Sequence, residues 1–250
     1  MASVKPFRPG LVPTLVVLAL LPGLIALGCW QLDRAEQKRA LMANYSERQL
    51  AAPVMAAQLP QLADPAFYPV HLYGRFDSRH SLLLDNQMRD GKAGVELLQP
   101  FHDQASGQWL LVNRGWLPWP DRRVPVQFAT PEAAVALEAS VYVAPGKAFQ
   151  LHPDPPGGPW PHLLTAIDAA SLWQQLGRDG FGHELRLQAG PASYRLDWPV
   201  VAMGPEKHVG YATQWFALAT TLVLLYLYFG WHRHPKENRH GHRRHPAERA

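Results

Sequence analysis

Two widely separated groups of side chains have the types needed to hold a cofactor. One is Trp30, Gln31 and Arg34; the other is His208, Tyr211, Gln214 and Trp215. On a helix, His208, Tyr211 and Trp215 share one stripe at i, i+3 and i+7. A neutral imidazole is a good ligand for iron. Indole and phenol rings could flank a porphyrin face, and Arg34 and Lys207 could pair with its propionates. A plainer reading competes. Trp30, Tyr211 and Trp215 fit an aromatic belt at a membrane–water interface, with Lys207 snorkelling beside them. That reading accounts less well for Gln31 and Gln214, and it is neutral about His208.

The elements that must position these groups are two charge-free runs. Residues 9–32 contain no Asp, Glu, Lys or Arg, and neither do residues 209–231. Roughly 20 helical residues at about 1.5 Å each cross the hydrocarbon of a bilayer. Transmembrane helices are therefore expected at 11–32 and 208–231. They are flanked by a short N-terminus at 1–10 and a basic tail at 232–250, with an extracytoplasmic domain at 33–207 between them. Lys5 and Arg8 precede the first run. Arg233, Lys236, Arg239, Arg243, Arg244 and Arg249 follow the second, against only Glu237 and Glu248. Basic flanks stay in the cytoplasm, so both termini are expected inside. The central domain then faces the periplasm of a bacterium or the intermembrane space of a mitochondrion, and the location expected here is the bacterial inner membrane.

The formal charge of +4 and the pI near 9.3 come largely from the tail. They report topology and do not point to nucleic acid. The first run admits a rival reading as a cleaved signal, with Ala26-Leu27-Gly28 before Cys29 as a loose processing site. Its length, the interfacial Trp30 and the unbroken amphipathic stretch over residues 32–50 favour a retained anchor. Pro22-Gly23 marks an expected kink. Small residues at Ala19, Gly23 and Ala26, and the stripe Gly210, Gln214, Ala217 and Thr221, are the expected contact faces between the two spans.

Cys29 is the single cysteine, so the central domain is expected to stand on an ordinary core without disulfides. Nor is there a Cys-x-x-Cys-His, a redox Cys-x-x-Cys or a thiol copper site. The middle of the chain reads as short strands between turn signals: 68–76, 81–87, 95–101, 109–114, 135–143, 148–152, 183–188 and 193–198. Hairpin connections are expected at 89–92 and 103–107. Asp168 caps a helix over 169–176, and Gly177 ends it. The fold class expected is a membrane protein, with two transmembrane α-helices flanking a mostly antiparallel β (α+β) domain, a small barrel or sandwich.

No catalytic spacing is present, and the chain is not expected to be an enzyme. Asp64, Asp77, Asp85, Asp90, Asp103, Asp121, Asp154, Asp168, Asp179, Glu184 and Asp197 are scattered, mostly beside turn residues, and read as solvated carboxylates. His71, His80, His102, His152, His162 and His183 show no ligand spacing. His232, His234, His240, His242 and His245 could bind a transition metal weakly, or lie with the basic tail near anionic lipid head groups.

Four strings then converge on one family. Leu27-Gly28-Cys29-Trp30-Gln31-Leu32-Asp33-Arg34 resembles the Leu-Gly-x-Trp-Gln-x-x-Arg motif that opens the Surfeit locus protein 1 family. Val70-His71-Leu72-Tyr73-Gly74-Arg75-Phe76 resembles its Val-x-x-x-Gly-x-Phe. Val112-Asn113-Arg114-Gly115-Trp116-Leu117-Pro118 is similar to its Val-Asn-Arg-Gly-Trp-x-Pro. His208-Val209-Gly210-Tyr211-Ala212-Thr213-Gln214-Trp215-Phe216 resembles its His-x-x-Tyr-Ala-x-x-Trp-Phe. Order, spacing and two-span architecture agree from about residue 11 to 231.

The resemblance implies a chaperone-like biogenesis factor of cytochrome c oxidase, respiratory complex IV. It would help haem a reach subunit I of an aa3-type enzyme, with subunit I, the haem a synthase and membrane lipid as partners. The haem-binding histidine of bacterial members corresponds to His208, with Tyr211, Gln214, Trp215, Trp30, Gln31 and Arg34 around it. A haem-free scaffold that stabilises an oxidase intermediate is the alternative. Arg114 could bridge to a partner or only fix a strand-to-turn geometry. Two positions depart from the family pattern: Glu206 and Lys207 stand where Asn is frequent before the histidine, and Pro69 stands where Arg is frequent.

Overall fold

Apolar and polar residues alternate along most of the middle of the chain, and they fold as strands. The computed structural model describes residues 7, 9–144, 146, 150, 152, 154, 155, 157–201 and 203–232. Of the strand expected at 148–152 only residues 150 and 152 are described, and the tail histidines beyond His232 lie outside the described residues. Two units are present, Met1–Leu41 with Val201–Ala250, and Met42–Val200.

In the second unit, β1 (Val54–Met55) leads into a 3-10 turn (Ala56–Gln61). There follow β2 (Pro69–Phe76), β3 (Leu82–Arg89), β4 (Lys92–Asp103), β5 (Trp109–Pro118), β6 (Val135–Tyr142), β7 (His162–Leu164), α2 (Ala169–Leu176) and β8 (Gly180–Leu187). Strand β2 pairs with β6 on one side and with β4 on the other, so the order β2-β6-β8-β5-β4 closes on itself as a barrel. The pairings within this ring are antiparallel except β5 with β8. The inward residues of the alternation fill it: Val70, Leu72 and Phe76, then Phe101, Leu110, Val112, Leu137, Val141, Leu185 and Leu187. Gly74 lies at the closing seam. A Cβ there would run into the carbonyl oxygen of His102, so only glycine lets β2 reach β4. Phe76 meets Phe101 edge-on across the same seam, 4.9 Å between ring centres.

The outer face of this sheet is covered by α2, whose Leu172 and Trp173 pack on Leu82, Leu98 and Leu111. The helix begins where Asp168 accepts a hydrogen bond from the Ser171 amide at 3.1 Å. It ends at Gly177, which takes the left-handed conformation with φ 61°. The turn at Asp90-Gly91 has positive φ at both residues, as a two-residue hairpin between right-twisted strands requires. Residues 193–198 do not form a strand. They make one antiparallel bridge, Trp116 with Arg195, and otherwise lie as a strap across the barrel. The sequence patterns also gave no sign of β1, β7 or the 3-10 turn, which are too short to show a period.

The first unit holds most of α1 (Leu11–Gln49) and all of α3 (Pro205–His232), both long and apolar enough to cross a membrane. With these helices flanking a β-rich domain, the fold is that of a membrane α+β protein. At about 1.5 Å per residue, α1 is far longer than a hydrocarbon core of about 30 Å. Its amphipathic second half continues the same helix, and Pro22 lies inside it.

The helices pair antiparallel. The hydroxyls of Thr14 and Tyr226 are 3.0 Å apart near one end, and Gln31 meets His208 near the other. Between them, a Cβ on Gly28 would stand 2.6 Å from the Phe216 ring, so the glycine admits the aromatic. The seam runs through Thr14, Val17, Leu21, Leu24, Gly28, Gln31 and Ala35 on α1, and through His208, Ala212, Ala219, Tyr226 and Gly230 on α3. Its spacing is the narrow alternation of three and four residues typical of paired helices. This corrects the expected contact faces. Ala19, Gly23, Ala26, Gly210, Gln214, Ala217 and Thr221 all point outward, and nothing lies within 4 Å of a Cβ placed at Gly23 or Gly210. The pairing itself is present; the face differs because packing depth at Gly28, and not smallness alone, selects it.

Candidate functional site

Near one end of the helix pair, two motifs distant in sequence come together. The Nδ1 of His208 lies 2.8 Å from the Oε1 of Gln31. Both side chains are half-buried in the seam. Among the described residues the Nε2 of His208 has no hydrogen-bond partner. One turn from Gln31, the Arg34 guanidinium stands 5.5 Å above the Trp30 ring and donates to Gln37 at 2.9 Å. Trp30 is half-exposed, and Tyr211 is 44% exposed on the outer side of α3. Trp215 is half-buried next to Phe216, while Gln214 and Lys207 are exposed.

The structure thus joins His208 to Gln31 directly. It leaves Trp30, Arg34, Tyr211 and Gln214 on the outward surface of the same helices, and Cys29 is also exposed there. His208 offers an imidazole nitrogen of the kind that ligates haem iron, and Tyr211, Lys207, Trp30 and Arg34 each lie within about a turn of His208 or Gln31 along their helices. Among the described residues no three of His, Cys, Asp and Glu gather as a metal site. A hollow of about 360 Å³ lies at the other end of the helix pair and is lined by Pro13, Val17, Leu222, Leu225, Tyr226 and Phe229. It is apolar and remote from His208, so it is not this site.

The third motif has a different fate. Asn113 is fully buried in β5, and its Nδ2 donates to Glu96 at 2.8 Å and to Glu184 at 2.9 Å. Arg89 pairs with Glu96 at 2.8 Å, and Arg186 pairs with Glu184 at 2.9 Å. Arg114 is 2% exposed. Its Nε donates to the Ala192 carbonyl at 2.7 Å, and one terminal nitrogen donates to Gln99 at 2.6 Å. Its guanidinium lies 4.9 Å from the Phe76 ring and 5.1 Å from that of Tyr194.

Each following residue also holds the strap. The Tyr194 amide donates to the Arg114 carbonyl, and the Trp116 amide donates to the Arg195 carbonyl. Gly115 has φ 111°, and a Cβ there would stand 2.7 Å from the Arg195 carbonyl oxygen. The string is therefore a clamp between barrel and strap. Of the two roles open for Arg114, the structure shows the internal one.

Burial raises the Glu184 carboxyl above its ordinary value, against the opposing pull of Arg186 and Asn113. Burial likewise depresses Arg114, with Tyr194 opposing. Glu184 and Asp103 are therefore not the solvated carboxylates expected. Asp103 is 2% exposed and accepts from the amides of Tyr73 and Ser106. Sequence reasoning missed Glu96 altogether, although a lone charge inside the apolar run Val95-Glu96-Leu97-Leu98 was its signal. It also missed Gly28 and Phe216 as the contact that seats the helices.

Comparison with known proteins bears on the whole arrangement. The SURF1 family model matches residues 18–220. A SURF1-like protein of Rickettsia felis is 25% identical over 224 residues, covering 86% of this chain and 95% of that protein. Human Surfeit locus protein 1 is 33% identical over 119 residues, 41% of this chain and 40% of the human one. The mouse protein is 31% identical over 117 residues, 40% and 38% of the two chains. The family match runs from within α1, through the barrel and its clamp, into α3 beyond His208, and the chain belongs to the SURF1 family.

Proposed function

We propose that this chain is a cytochrome c oxidase assembly factor that holds haem a transiently at the outer face of the bacterial inner membrane and assists its passage to subunit I. Family membership supports the oxidase-assembly part. One observation carries the haem part: His208 sits at an end of the helix pair, fixed through Nδ1, with its other nitrogen unengaged. His208 would be the residue that ligates the iron. Trp30, Tyr211 and Trp215 offer ring faces to the macrocycle, Gln31 and Gln214 supply amides, and Arg34 and Lys207 supply charge for its carboxylates. Haem supplies the iron that an imidazole ligates. The chain acts by binding and release, not by catalysis.

The basic flanks, Lys5 and Arg8 on one side and the arginine-rich tail on the other, support placing both termini in the cytoplasm. The barrel then lies outside, available to subunit I and the haem a synthase. The test is co-expression with the haem a synthesis enzymes, followed by absorbance of the full chain purified in detergent. Wild type is expected to show a Soret band and His208→Ala to lose it. Equal bands would remove His208 as the ligand. Co-purification of subunit I by a chain without any haem band would select the haem-free scaffold instead.

A further inference from the structure

A histidine that offers one nitrogen to a metal needs the other fixed, because a neutral imidazole carries a single N–H that either nitrogen can hold. The partner of Nδ1 in His208 is the carbonyl oxygen of Gln31, at 2.8 Å. A carbonyl oxygen can only accept. The proton must therefore sit on Nδ1, and in the neutral ring Nε2 keeps its lone pair.

We infer that Gln31 is a positioning residue: its amide oxygen holds His208 as the Nδ1–H tautomer, turns the ring, and presents Nε2 as the coordinating nitrogen. The inference rests on the haem-holding reading for its purpose, but not for its geometry. The geometry also explains why an amide stands here. In the barrel, His80 is held through Nδ1 by Asp77 at 2.6 Å, with Arg178 balancing the carboxylate at 2.7 Å. A carboxylate acceptor carries a charge that must be solvated or paired. Beside the hydrocarbon, the uncharged Gln31 orients the ring without adding a charge to desolvate. Gly28, one turn before Gln31 on the same face, lets α1 approach α3 closely enough for the hydrogen bond to form. The Leu-Gly-x-Trp-Gln string thus places its glycine and its glutamine on one seam for one purpose.

The test does not need haem. The full chain, labelled with ¹⁵N-histidine and held in lipid nanodiscs, is read by NMR, with His208→Ala identifying the signals among the 12 histidines. The expected pattern for His208 is a protonated Nδ1 and an unprotonated Nε2. Gln31→Leu should move the ring to the other tautomer or to a mixture, and Gln31→Glu, which retains an acceptor oxygen, should restore the wild-type pattern. Gln31→Met serves in place of the leucine variant if that one does not accumulate.

An Nε2–H in wild type, or an unchanged pattern in Gln31→Leu, overturns the inference. In haem-loaded protein, loss of such an outer partner should weaken binding about 10–100-fold, with the glutamate variant close to wild type. A wild-type chain that shows the Nδ1–H tautomer yet binds no haem would end the haem reading while leaving the role of Gln31 intact.

Discussion

The barrel and the helix pair treat polar side chains in opposite ways. In the barrel, Asn113, Arg114, Glu96 and Glu184 are buried and spend their hydrogen bonds on one another and on the strap. In the helix pair, His208 spends one ring nitrogen and keeps the other. Buried polar groups must be satisfied or they destabilise the fold, so a complete network reads as structure. An oriented group with unused capacity, set in otherwise apolar helices, reads as function. Two motifs of similar specificity in the sequence thus have different physical meanings.

The contrast can be broken at Asn113 first. Asn113→Leu leaves Glu96 and Glu184 facing each other without the shared donor. Removing one partner from such a buried charged network costs about 3–5 kcal/mol, so the barrel should unfold at markedly lower denaturant, measured by tryptophan fluorescence of the full chain in detergent. An unchanged midpoint would mean that the network is slack.

A smaller effect is expected in the helix pair. Gly28→Val forces its side chain against Phe216 and should weaken the pairing by about 1–3 kcal/mol, whereas Gly23→Val, which meets nothing, should be silent. Cross-linking of α1 to α3 reads both, and equal loss in the two variants would refute the assigned seam. Asp168→Ala removes the cap of α2 and should cost the barrel about 1 kcal/mol, seen as a small shift of the same fluorescence midpoint.

The gentlest probe is pH. Glu184 binds its proton more tightly in the folded state than in the unfolded one, where its value is near 4.5. Above that pH the unfolded state has already lost the proton that the folded state retains, so stability falls as pH rises toward the raised value. Asp77, Asp154 and Asp197 are lowered from 3.8: burial of each is outweighed by hydrogen bonds, chiefly from His80 and Arg178 to Asp77, the Thr165 amide to Asp154 and Arg195 to Asp197. Their contribution is present above 3.8 and lost as pH falls through their folded values. Glu184→Gln should remove the decline on the alkaline side and leave the acid side in place. A decline that survives in that variant would assign it elsewhere.

Much of the architecture was legible in the chain. Charge-free runs of sufficient length dictate helices in a membrane, because unsatisfied backbone in hydrocarbon is too costly for any other form. Alternation and turn residues located β2 to β6 and β8, although β4, β5 and β8 each extend three or four residues past the expected bounds at one end, and Asp168 and Gly177 bracket α2 because caps act locally. Local rules failed where a side chain's partner is remote in sequence. Nothing near residue 113 announces that it will bridge Glu96 and Glu184, and an acid beside an arginine reads as solvated until the strand register buries it.

Sequence alone, then, determined the inventory: two apolar helices, a strand-rich middle and a histidine near the start of the second helix. Tertiary structure decided which faces meet. In lipid the apolar effect cannot tell one helix face from another, and several stripes of small residues were open to either span. Specific fits chose among them, with Phe216 over Gly28 and the Thr14–Tyr226 contact on one seam, and that choice brought Gln31 to His208. Likewise, only closure of β2 onto β4 over Gly74 made the barrel interior, and only the pairing of β5 with β4 and β8 brought Glu96 and Glu184 to Asn113.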